Sequence, residues 1–67
     1  MDRKKLGKKI KLARVEKDLT QVQLAELVQI KQKSISSYET GAIVPSIETL
    51  LKMAKVLEKS VSYFLEQ

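Results

Sequence analysis

Side chains able to make or break bonds are scarce in this chain, and that scarcity narrows its chemistry first. His and Cys are both absent. Their absence removes the commonest general base, the commonest zinc ligand, any thiolate nucleophile and any disulfide framework. The eight carboxylates are scattered rather than paired, so no catalytic residue is named and no metal or cofactor is implied. What remains is recognition chemistry. Gln32, Lys33, Ser36, Ser37 and Thr40 have neighbours within the set one, three or four residues away. In a helix those steps place all five on one outward stripe of amides, hydroxyls and one ammonium. Such groups match the hydrogen-bonding edges of nucleobases: Gln pairs bidentately with adenine, Lys donates to guanine, and Ser contacts either.

The elements needed to present that stripe are legible around it. The chain has 67 residues, a formal charge of +5, 43% hydrophobic residues, two Gly and one Pro. This composition fits one small all-α domain held by its apolar core alone. Five helices are expected. The first runs over about Asp2 to Lys17, with Leu6, Ile10 and Ala13 inward and Leu12 and Val15 exposed. Thr20-Gln21-Val22-Gln23 reads as a capping box opening a second helix to Val28. Leu24, Leu27 and Val28 are expected inward, with Ala25 allowing a close helix approach. After the break Gln29-Ile30-Lys31, a third helix spans about Gln32 to Thr40, anchored by Ile35 and Tyr38. Gly41 ends it in the left-handed conformation.

Ser46 caps a fourth helix to Glu58, whose expected core stripe is Leu50, Leu51, Ala54 and Leu57 with Met53 beside it. Ser60 caps a short fifth helix to Glu66, with Val61, Phe64 and Leu65 apolar. Val56 and Tyr63 are expected at the surface.

Charge is regional. Residues 1–17 carry net +6 and residues 18–30 net −2, while residues 40–67 balance. The basic first helix reads first as a solvated face and second as a source of general attraction to DNA; a lysine adds to affinity only where it neutralises a phosphate. Its apolar stripe is narrow and lacks aromatic anchors, which argues against a membrane-surface helix. No apolar run approaches the ~18 residues of a membrane span, and the N-terminus lacks a signal core. A cytoplasmic protein, nucleoid-associated when bound to DNA, is the expectation.

The segment Gln21 to Thr40 therefore reads as a helix-turn-helix: a capped helix, a tight turn plugged by Ile30, and a second helix with a polar outward face. Four stretches carry a resemblance to a known family. Thr20-Gln21-Val22-Gln23-Leu24-Ala25 is similar to the "T-Q-x-x-L-A" opening of the lambda-repressor-like helix-turn-helix, the Cro-like or XRE family. Ser34 to Gly41 resembles its "S/T-I-S-x-(aromatic/apolar)-E-x-G" stretch. Pro45 to Ala54 resembles "P-S-x-x-T-L-x-K-x-A", and Ile10 with Arg14 matches "I-x-x-x-R".

That resemblance implies a compact five-helix lambda-repressor-like domain over residues 1–67, acting as a homodimer on a near-palindromic double-stranded operator. Two third helices would then enter the major groove about 34 Å apart. Gln32, Lys33, Ser36 and Ser37 fall on the base-reading positions, and Gln21 and Thr40 on positions that meet phosphate. Arg14 and Glu39 fall on those of a structural ion pair. Val56, Tyr63 and Leu65 are the expected dimer surface. The departures are Gln29 where the family has Gly, Lys31 where it caps with Ser or Thr, and Lys59 where an apolar residue is common. Lys31 reads as a phosphate-binding cation that replaces a helix cap. The chain is expected to be complete, with no small-molecule ligand evident. The competing reading is a protein–protein module, such as an antitoxin using the same fold.

Overall fold

The computed structural model describes residues 2–66 and places five helices in them: α1 (Arg3–Glu16), α2 (Gln21–Val28), α3 (Gln32–Thr40), α4 (Ile47–Leu57) and α5 (Val61–Leu65). Each start has a chemical cause. The Asp2 carboxylate accepts from the amides of Lys4 and Lys5, and those two hydrogen bonds hold its pKa below the ordinary value. Thr20 and Gln23 form the reciprocal capping box at α2. Ser46 and Ser60 cap α4 and α5 through the amides of Thr49 and Tyr63. Lys31 opens α3 without any side-chain cap. Asp2, Lys17, Glu58 and Glu66 are caps, so α1, α4 and α5 are slightly shorter than the sequence suggests.

One core joins the helices. Phe64, Ile10, Leu24, Ile35, Met53 and Leu57 are fully buried, with Leu6, Ala13, Ala25, Val28, Leu50 and Ala54 completing the cluster. Leu12 and Val15 are exposed, as expected. Two expectations fail. Leu27 is 56% exposed and Leu51 is 52% exposed. Each flanks the inward stripe of its helix, and among the described residues no element covers that flank.

The corners are turned by unusual residues. Asp18, Gln29 and Glu58 all adopt left-handed backbone with φ near +60°, and Gly41 does so at φ +83°. After the first three, the next amide returns to a carbonyl five residues back: Leu19 to Arg14, Ile30 to Ala25 and Lys59 to Ala54. This is the Schellman closure, and Leu19 and Ile30 add its apolar contact by packing on the core.

Candidate nucleic-acid interface

The position of α3 is fixed from beneath and from the side. Ile35 is fully buried below it. Ala25 is buried on α2. On the α1 side, Gly7 allows a backbone approach that no other residue would. A Cβ there would lie 2.5 Å from the carbonyl oxygens of Tyr38 and Glu39. Gly41 also lies against the backbone of Arg3 and Lys4, so the basic start of α1 sits beside the end of α3.

With α3 so held, its outward stripe faces solvent. Gln32, Lys33 and Thr40 are exposed, and Ser36 and Ser37 half-exposed. The expected base-reading residues therefore share one accessible face. Lys31 is exposed at its leading end. Thr40 is locally engaged: its hydroxyl donates to the Ser37 carbonyl at 3.2 Å and accepts from the Ala42 amide. That proton must be released before Thr40 donates to a phosphate.

Behind the stripe runs a chain of polar contacts. Arg14 Nε donates to Glu39 Oε2 at 2.5 Å and Nη2 to Oε1 at 3.1 Å, while Nη1 donates to the Leu19 carbonyl. Glu39 is buried and Arg14 largely so, at 4% and 11% side-chain exposure, so the pairing expected between α1 and α3 is present and mostly removed from water. Gln21 Nε2 donates to Glu39 Oε1 at 3.0 Å. Gln32 Nε2 in turn donates to Gln21 Oε1 at 2.9 Å. The buried ion pair thus extends through two amides to the first residue of the outward stripe. Gln21 and Gln32 lie eleven positions apart, and no periodicity signals their meeting. Gly7 did carry a signal, since an isolated glycine within a helical pattern marks a close approach.

The residues expected at a dimer surface separate. Leu65 is exposed, whereas Val56 and Tyr63 are half-buried and pack on the core. The Tyr63 ring lies edge-on to Phe64, with the Lys59 ammonium 4.9 Å from its centre. The exposed apolar residues of α4 are Ile47 and Leu51, preceded in the loop by Ile43 and Val44. Among the described residues, no helix is long and apolar enough to cross a membrane.

Known proteins share this arrangement. A family model described as helix-turn-helix matches residues 10–64. The chain is 37% identical over 60 residues to the HTH-type transcriptional regulator ImmR of Bacillus subtilis, covering 90% of this chain and 47% of that one. It spans about half the length of the curated relatives it matches. The restriction-modification controller protein C.AhdI from Aeromonas hydrophila superposes with a TM-score of 0.89 at 27% identity, over 94% of this chain and 96% of that one. The clp gene regulator ClgR from Corynebacterium glutamicum superposes with a TM-score of 0.90 at 29% identity, over 97% of this chain and 69% of that one.

Proposed function

The chain belongs to the Cro/C1-type helix-turn-helix family, and from that premise we propose that it is a DNA-binding transcriptional regulator. The carrying observation is the solvent-facing polar stripe of α3, held rigidly by Ile35 below and by Glu39 at the side. Gln32, Lys33, Ser36 and Ser37 read base edges in the major groove. Gln21, Lys31 and Thr40 meet phosphates and set the register. The lysines of α1 add general attraction.

Two copies act together on a near-palindromic operator, as a repressor or controller protein. They associate through α4 and α5, where Leu65 and Leu51 are exposed and Val56 and Tyr63 half-buried. The likeness to a restriction-modification controller protein supports this reading.

Selection from random duplexes by gel shift at ~50 mM salt tests it. One sequence, with two related half-sites, is expected to be enriched. Absence of any enriched sequence would refute specific binding and favour a protein-interaction module. Sedimentation tests the pairing: a dimer is expected that Leu65→Asp with Leu51→Asp converts to monomer. A monomer at high micromolar concentration would refute it.

A further inference from the structure

Resting on the proposed pairing through α4 and α5, we infer that Lys9 of α1 sets the α5 surface that a second copy meets. α5 is five residues long, and only Phe64 in it is buried. A helix that short does not hold itself in water. Its start is secured locally, by the Ser60 hydroxyl on the Tyr63 amide. Its last carbonyls lack helical partners and carry the negative end of the helix dipole. Lys9 answers both needs from another helix. Its ammonium donates to the Tyr63 carbonyl at 3.0 Å and to the Glu66 carbonyl at 2.5 Å.

The same ammonium lies 5.6 Å from the centre of the Tyr63 ring, and the Lys59 ammonium lies 4.9 Å from it. Both are cation–π contacts. Lys9 therefore fixes the backbone and the ring of Tyr63 together. Leu65, whose side chain is exposed, lies in the chain between the two carbonyls that Lys9 holds. Without Lys9 the last turn of α5 frays, and Tyr63 and Leu65 must be ordered at the moment of pairing. Lys9 is thus a positioning residue for pairing, a task separate from the general attraction of α1 to DNA.

Three variants separate this role from net charge and from general support. Lys9→Met keeps the aliphatic stem but removes the cation and its donors. Lys9→Arg keeps a cation with donors. Lys8→Met removes an equal charge from the exposed lysine beside it. Sedimentation reads the pairing. Hydrogen exchange by mass spectrometry reads the C-terminal peptide, where the Glu66 amide donates to the Ser62 carbonyl at 3.0 Å. It is run at a dilution where sedimentation shows monomer, so that loss of pairing cannot itself change the rate.

The parent is expected to pair, and Lys9→Met to pair about tenfold more weakly. The C-terminal peptide of Lys9→Met should exchange faster, while peptides from α2 and α3 keep the parent's rates. Lys9→Arg should recover most of both losses, and Lys8→Met should match the parent. Parental pairing in Lys9→Met, an equal loss in Lys8→Met, or no recovery in Lys9→Arg overturns the inference while the pairing stands. Faster exchange throughout the molecule in Lys9→Met also overturns it, since that is the mark of general support. A parent that stays monomeric at high micromolar concentration overturns the pairing and the inference with it.

Discussion

Arg14 and Glu39 form a two-point ion pair across the seam between α1 and α3, with Glu39 buried and Arg14 largely removed from water. Breaking one side of such a pair leaves an uncompensated buried charge. Arg14→Met should therefore cost about 3–5 kcal/mol, and Arg14→Met with Glu39→Leu should recover most of it. Urea unfolding of the two variants measures the difference. A single variant as stable as its parent would show that the seam tolerates an unpaired carboxylate.

Gly7→Ala tests the close approach of the same two helices. Alanine is the better helix former by roughly 1 kcal/mol, so intrinsic propensity predicts a gain. The Cβ would nevertheless strike the carbonyl oxygens of Tyr38 and Glu39 at 2.5 Å. Both are backbone atoms and cannot swing aside. A net loss of about 1–3 kcal/mol is expected, with weaker DNA binding because the end of α3 is displaced. Calorimetry and gel shift together check both effects.

Lys31→Ser should move stability and binding in opposite directions. Lys31 is the N-cap of α3 and makes no side-chain cap bond. Serine there should add about 1 kcal/mol of stability. It also removes a cation from the leading edge of the interface. The slope of log affinity against log salt should fall by about 0.9, the value of one phosphate contact. An unchanged slope would show that this lysine stays solvated in the complex.

Acid should erase the contribution of Asp2. Its carboxyl pKa is lowered in the folded chain by the amides of Lys5 and Lys4. A depressed folded value stabilises above the unfolded pKa and is lost as pH falls through the folded one. Asp2→Ala should therefore be less stable than its parent at neutral pH. The two melting curves should converge as pH drops below 3.8.

Most of the fold was legible because its helix ends are written in local chemistry. Thr20 with Gln23, Ser46, Ser60 and Gly41 each satisfy backbone groups within a few residues, so type and spacing sufficed. The solvent-facing stripe of α3 was legible for the same reason, being a matter of period. Leu27 and Leu51 were misjudged because periodicity reports which way a side chain points and not whether another helix is there to cover it. The left-handed turn at Glu58 carried no signal, since glutamate does not favour positive φ, and Asp18 carried only a weak one. The Gln21–Gln32 contact depends on how two helices cross, which no single helix encodes.

Three of the four corners between helices are turned by Asp18, Gln29 and Glu58, where glycine would adopt the same backbone with less strain. Gln29→Gly should add about 1 kcal/mol, read as a rise in melting temperature of roughly 4–8 °C. Asp18 and Glu58 offer gains of the same kind, and none of the three belongs to the outward stripe of α3. The chain therefore holds thermal headroom in positions outside the surface proposed to choose an operator. A lineage carrying this domain into a hotter habitat has stabilising substitutions at hand that leave the outward stripe of α3 untouched.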